Sequence, residues 1–159
     1  MATIRKGIAF PLAALSMVLA AGAAAQTKIG EIVVISVEGT CGDLAVVGRR
    51  LGGECSGKLL NFTYPDGRVG FYFGLKSGAI VTFSGMDGDN PTPDSDVIHL
   101  DKVIMSRSDT PDTPDVYAAT GTCRFGNPYK GPATIACEGR LTDGRPFTAA
   151  FTTNGKPPT

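Results

Sequence analysis

The chain has 159 residues, with 15 Lys and Arg against 15 Asp and Glu, 21 Gly, 11 Pro, four Cys and no Trp. That length suits one domain of ordinary size, able to bury a core without help from metals. The balanced charge argues against a nucleic-acid or anionic-membrane binder, because both need a basic face.

Residues 1–25 read as a cleavable export signal. Arg5 and Lys6 give a positive start, the run from Gly7 to Ala25 is free of charge, and Ala23-Ala24-Ala25 before Gln26 has the small-x-small form that signal peptidases cut. The run is Ala-rich, holds Pro11 and Gly22 and is barely long enough to span a bilayer, which favours removal over anchoring. Residues 26–159 then form a single exported domain with 13 basic and 15 acidic residues. No stable membrane span is expected after cleavage. The expected compartment is the periplasm, with secretion beyond it as the alternative.

From Gln26 onward, alternation dominates over helical spacing. Ile32 to Val37 is apolar on both sides and predicts a buried central strand. Gly52-Gly53-Glu54-Cys55-Ser56-Gly57-Lys58 matches most of a phosphate-binding loop. Leu59, however, stands where that motif needs a magnesium-binding Ser or Thr, so the match is accidental. Pro65-Asp66-Gly67 predicts a hairpin turn in which Gly supplies the positive φ. In 69–75, Val69, Phe71, Phe73 and Leu75 face one way while Gly70, Tyr72 and Gly74 face the other. Tyr72, flanked by glycines, is a candidate binding residue, since a flat surface there lets a ligand ring approach. Tyr72 packed beneath a loop explains the same pattern. Tyr64, Tyr117, Phe125 and Tyr129 are the other aromatic candidates for a binding face.

Ala79 to Phe83 predicts the next strand, and Asp87 to Asp96 an extended, solvated loop. Asp87, Asp89, Asp94 and Asp96 offer oxygen ligands for a weak Ca²⁺ site, although the spacing is not that of an EF-hand. A solvated acidic loop is the default, and no other cofactor is expected. Ile98, Leu100 and Ile104 share a face, opposite His99 and Asp101. His99 is the only histidine. A His99–Asp101 pair would orient a general base, but no nucleophile motif accompanies it. No catalytic residue is therefore assigned, and a hydrolase using this pair stands as the alternative. Ser108 to Asp115 is a second Asp- and Pro-rich loop, followed by strands at Val116–Phe125, Thr134–Leu141 and around Phe147, Ala149 and Phe151.

A motif recurs across these segments. Gly39-Thr40-Cys41 returns as Gly121-Thr122-Cys123, Cys55-Ser56-Gly57-Lys58-Leu59 as Cys137-Glu138-Gly139-Arg140-Leu141, and Asp66-Gly67-Arg68 as Asp143-Gly144-Arg145. The shared order suggests two related units, around 39–75 and 121–151. Convergent turn chemistry around two unrelated disulfides is the competing explanation. Arg68 and Arg145, at matching positions, join Tyr72 as candidate binding residues. An even cysteine count in an exported chain reads as disulfides, and the repeat favours Cys41–Cys55 and Cys123–Cys137 over the other two connectivities.

Short strands separated by turn residues predict an all-β fold, a small antiparallel barrel or sandwich of about eight or nine strands. The functional expectation is a disulfide-stabilised binding or scaffolding domain without enzymatic activity, for an envelope partner, an extracellular partner or a small ligand. A calcium-stabilised extracellular structural protein is a further alternative.

Overall fold

The computed structural model of the protein describes residues 26–159, so the segment read as an export signal, 1–25, lies outside the described residues. Ten strands form one antiparallel sheet: β1 (Thr27–Ile29), β2 (Ile32–Val46), β3 (Arg49–Arg50), β4 (Cys55–Thr63), β5 (Arg68–Leu75), β6 (Ile80–Asp87), β7 (Ser95–Ser106), β8 (Asp115–Gly126), β9 (Thr134–Leu141) and β10 (Pro146–Thr153). From β4 to β10 each strand pairs with the next in an up-and-down meander, and β2 closes the sheet by pairing with both β10 and β4. The result is a closed barrel of eight strands, β2 and β4–β10, with β1 and β3 as short additions. Of the two all-β architectures expected, the barrel is the one realised. Closure leaves no long unpaired edge for another chain to extend. Three strands reach 12 to 15 residues, longer than the sequence pattern implied.

The inward alternation is the one the sequence announces. Val69, Phe71, Phe73 and Leu75 are buried, as are Val81, Phe83, Val103, Phe147, Ala149 and Phe151 from the surrounding wall. Phe73 meets Phe83 and Phe151 edge-on, with ring centroids 5.5 and 6.2 Å apart. Edge-to-face contacts of this kind contribute beyond the area they bury. The lumen is therefore a packed aromatic core. Glu38, Lys58, Arg124, Glu138 and Arg140 are exposed on the barrel wall. This apolar-in, charged-out arrangement is the reverse of a lipid-spanning barrel with a polar interior. Among the described residues no helix is long and apolar enough to cross a membrane.

β2 is the seam strand. Its residues 33–38 pair with β4, and its residues 39–45 with β10. Before β10 arrives, the outer edge of β2 is completed by β1 and by the chain end, where Ser36 and Thr159 exchange hydrogen bonds of 2.7 and 3.0 Å. Three hairpins share one turn. In Tyr64–Arg68, Leu75–Ala79 and Leu141–Arg145 the first residue's N–H donates to the fifth residue's carbonyl, at 2.8, 2.8 and 2.9 Å. The fourth residue is Gly67, Gly78 or Gly144, at φ of 82–88°. The third, Asp66, Ser77 or Asp143, accepts the fifth residue's N–H through its side chain. This is the three-residue hairpin with a glycine bulge. Leu75–Ala79 builds the same turn from Ser77-Gly78-Ala79, outside the recurring motif, so the turn geometry by itself does not distinguish the two units.

The cysteine likeness goes deeper. Cys41 is bonded to Cys55, and Cys123 to Cys137. Cys123 stands directly opposite Cys137 in the β8–β9 ladder, and Gly121 opposite Gly139. Glu38 stands opposite Lys58 in the β2–β4 ladder, and continuing that register would set Gly39 against Gly57 and Cys41 against Cys55. In both units a glycine stands two residues from each cysteine of a cross-strand disulfide, and only the second unit holds all four residues in a regular ladder. Two disulfides fit an oxidising, extracytoplasmic compartment.

Candidate functional site

With the lumen filled, the barrel's accessible concavities lie at its ends and on its outer wall. The end bearing the β6–β7 loop and the β8–β9 turn, called the top here, holds a cleft of about 310 Å³. Ile35 and Phe125 lie on its apolar side, Asn90, Asp94 and Asp96 on its polar rim, and Pro128 and Tyr129 along the far wall. Sequence forms each side simply. Asn127 caps a short 3-10 turn, Pro128–Lys130, by accepting the Tyr129 N–H at 3.0 Å, and the turn carries Tyr129 over the mouth. Opposite, the Asp- and Pro-rich loop is tied back through Val97 N–H to Asp89 carbonyl, 3.0 Å, and through Asn127 N–H to Asp94 carbonyl, 3.0 Å.

The four loop aspartates are not equivalent. Asp94 forms an ion pair with Lys130 at 2.6 Å, and that hydrogen bond, seconded by Asn127, holds its carboxyl below the usual range. Asp96 is half-buried. Desolvation raises its pKa, and nearby Asp87 adds to the rise against the Val97 N–H, which lowers it. With its amide turned to donate, Asn90 meets both Asp96 oxygens, at 2.6 and 3.1 Å. Asp87 and Asp89 are exposed. Among the described residues no three His, Cys, Asp or Glu side chains gather as a metal-holding group.

Of the three binding candidates from the sequence, Arg68 and Tyr72 share the outer face of β5 while Arg145 lies at the other end of the barrel, and each has an internal partner. Tyr72 does lie on the outer wall, half-buried, with its ring over Gly70, where a Cβ would come within 2.7 Å of Tyr72 Cε2. It packs on Phe62 at 4.6 Å between centroids and shares a 3.1 Å hydrogen bond with the Tyr64 hydroxyl. Burial first, then that hydrogen bond, pushes its phenol well above the usual range. Arg68 crosses the outer wall to grip Asp101 with both guanidinium nitrogens, at 2.9 and 2.7 Å, and also donates to Ser84 Oγ at 3.2 Å. Arg145, at the bottom of the barrel, donates to Asp143 at 2.8 Å and lies 5.9 Å from the Tyr117 ring centre.

His99 and Asp101 are both exposed on β7. The ladder is irregular between Leu100 and Lys102, and the Asp101 carboxylate is committed to Arg68. Among the described residues no hydrogen bond joins it to His99, whose ring instead covers Gly88, where a Cβ would sit 2.7 Å from its Cδ2. The glycine-rich Gly52–Glu54 segment is a 3-10 turn leading into strand β4 through disulfide-bonded Cys55, not a loop opening a helix.

Alternation alone did not mark the cleft. Phe125 and Tyr129 are aromatic candidates in the sequence, but Ile35 joins them only because the barrel closes. No family model, curated protein or solved structure matches this chain.

Proposed function

We propose that this is an exported, disulfide-stapled binding barrel without catalytic activity of its own, which takes a small ligand at its top cleft. The observation that carries the reading is the pairing of an apolar floor, Ile35 and Phe125, with the desolvated carboxylate of Asp96 at one open mouth. A packed Phe core leaves the lumen no room, so binding falls to the mouth. An apolar wall with a few placed polar groups is the usual make-up of a small-molecule site. Excess carboxylate around that wall favours an organic cation with an apolar body. The carboxylate that a His99–Asp101 hydrolase would need is engaged elsewhere, since Asp101 pairs with Arg68. Export to the periplasm or beyond rests on the 1–25 pattern together with the two disulfides. The shared glycine–cysteine pairing is what supports an internal duplication; the Asp-Gly-Arg turns add nothing to it.

Calorimetric titration with phenethylamine, against uncharged 2-phenylethanol, tests the reading. The amine binds saturably and the alcohol at least tenfold more weakly. Asp96→Asn removes the difference between them. Amine affinity falls as pH drops through the raised Asp96 pKa, at a higher pH than an ordinary aspartate would require. Millimolar Ca²⁺ in place of the amine separates a metal ion from an organic cation. Equal affinity for amine and alcohol, or no binding of either, overturns the proposal.

A further inference from the structure

At the bottom of the barrel, β2 and β3 are joined by a two-residue turn, Val47-Gly48, with φ of 53° and 73°. A type I′ hairpin turn needs positive φ at both central residues and is ordinarily built from Asn, Asp or Gly. Val47 is the one non-glycine residue at positive φ among the described residues. A β-branched side chain is a genuine outlier in that region. The turn holds it because Val47 packs against the barrel core. Strain of this kind persists only where surrounding structure fixes it, and it concentrates at binding and switch sites.

The strained turn delivers Arg49 and Arg50, paired opposite Val46 and Ala45. Both are exposed. The ion pairs of the described residues engage Arg68, Lys102, Arg107, Lys130 and Arg145, and neither Arg49 nor Arg50 takes part. Both line one cleft of about 340 Å³, together with Gly48, Arg145 and Thr148, and Arg49 also borders a neighbouring cleft that holds Glu54 and Asp115. Asp43 is the only carboxylate lining the first cleft, and it accepts the Thr148 hydroxyl at 2.8 Å. Three arginines thus line a concave surface that has one carboxylate in its lining, and two of them take part in no ion pair of the described residues. Guanidinium presents a rigid planar fork of donors that matches tetrahedral oxyanions.

The geometry points to an oxyanion site here: a phosphate or sulfate group, free or as an ester, held by Arg49 and Arg50 with Arg145 at the rim. This site is at the opposite end from the top cleft and does not depend on it. The cleft is larger than a single anion needs, which leaves room for the group that carries it.

The test is an amide NMR titration of the protein with both disulfides intact. Sodium sulfate and glucosamine 6-sulfate are each added at constant ionic strength set with sodium chloride. Both probes give saturable shifts at Gly48, Arg49 and Arg50. The Arg49→Gln, Arg50→Gln double variant, altered only at exposed side chains, keeps its melting temperature and binds at least tenfold more weakly. A markedly lower saturating concentration for the ester assigns an ester-borne group as the natural source, whereas equal affinities assign the free anion. Shifts that follow chloride equally, or that persist undiminished in the double variant, overturn the site.

Discussion

The unit around Cys41–Cys55 and the unit around Cys123–Cys137 carry the same residues to different ends. In the second, Cys123 and Cys137 are fully buried within an unbroken β8–β9 ladder running from Ala119–Leu141 to Phe125–Ile135. In the first, the β2–β4 ladder stops at Glu38–Lys58, short of the cysteines, because β2 turns away to pair with β10. There β4 is also irregular between Cys55 and Leu59, and Cys41 is half-exposed. One disulfide adds a covalent link to a pair already held by backbone hydrogen bonds. The other takes the place of hydrogen bonds at the seam where the barrel closes. The same pattern thus serves as a staple in a regular wall and as a clasp at its join.

The largest effect follows from removing each bond. Both close loops of 14-residue separation. The chain-entropy term is therefore equal, about 3 kcal/mol each. Replacing Cys123 and Cys137 by Ala also empties a filled core position and brings the loss to about 4 kcal/mol. Urea unfolding measures both. Amide exchange separates the roles: Cys41→Ala with Cys55→Ala exposes residues 33–45 and 55–60 by local opening, while the buried pair lowers protection throughout. Uniform loss of protection in both variants would mean that the seam is no weaker than the wall.

The glycines give the next effect. Phe147 of β10 occupies the space left by Gly121 and Gly139, and a Cβ on Gly139 would overlap the Thr120 carbonyl and lie 2.7 Å from Gly121 Cα. Gly57 is different: its φ is +79°, yet a Cβ there would meet only the Gly39 carbonyl, at 3.1 Å. Gly139→Ala costs about 3 kcal/mol, as overpacking of a backbone contact does. Gly57→Ala costs about 1 kcal/mol, the toll of a left-handed residue with a side chain. Reversed magnitudes in urea titrations would show that conformation, not close approach, fixes these glycines.

These particulars separate what a sequence displays from what closure adds. Val69, Phe71, Phe73 and Leu75 announce their face because one side of the strand is buried and the period is two. Asp66-Gly67-Arg68 announces its turn because positive φ and a side-chain acceptor are local requirements. The disulfide pairing is the one that the recurring cysteine motif favours over the other two connectivities. What stayed hidden depends on which strands become neighbours. Ile35 shares a cleft with Phe125 only because closure brings β2 and β8 to one mouth, and Asp101 is claimed by Arg68, 33 residues away. Arg49 and Arg50 read as two ordinary basic residues until the Val47-Gly48 turn brings them to a cleft that Arg145 also lines. The compact turns and the alternation are short-range facts, whereas the sites are long-range ones.

The smallest effect lies in the arginines that follow the two Asp-Gly turns. Arg68 reaches past Ser84 to Asp101, so its ion pair links β5 to β7 across β6. Arg145 turns back on Asp143 in its own hairpin. In both cases the hydrogen-bonded arginine holds the carboxyl below the usual range. A depressed folded pKa contributes stability that is present above the unfolded value and is lost as pH falls through the folded one. That places the loss on the acid side of about pH 4. Asp101→Asn should cost roughly 0.5–1 kcal/mol at pH 7, the discounted worth of a partly exposed bidentate pair, and nothing once the parent's Asp101 is protonated. Asp143→Asn leaves the turn's side-chain acceptor in place and spans no second strand, so it should lose less than Asp101→Asn at pH 7, and that loss should likewise vanish once the parent's Asp143 is protonated. If instead the two variants lose stability equally at pH 7, the Arg68 contact is no more than a local pair, and the strand-spanning link must lie in Ser84 and the backbone ladder alone.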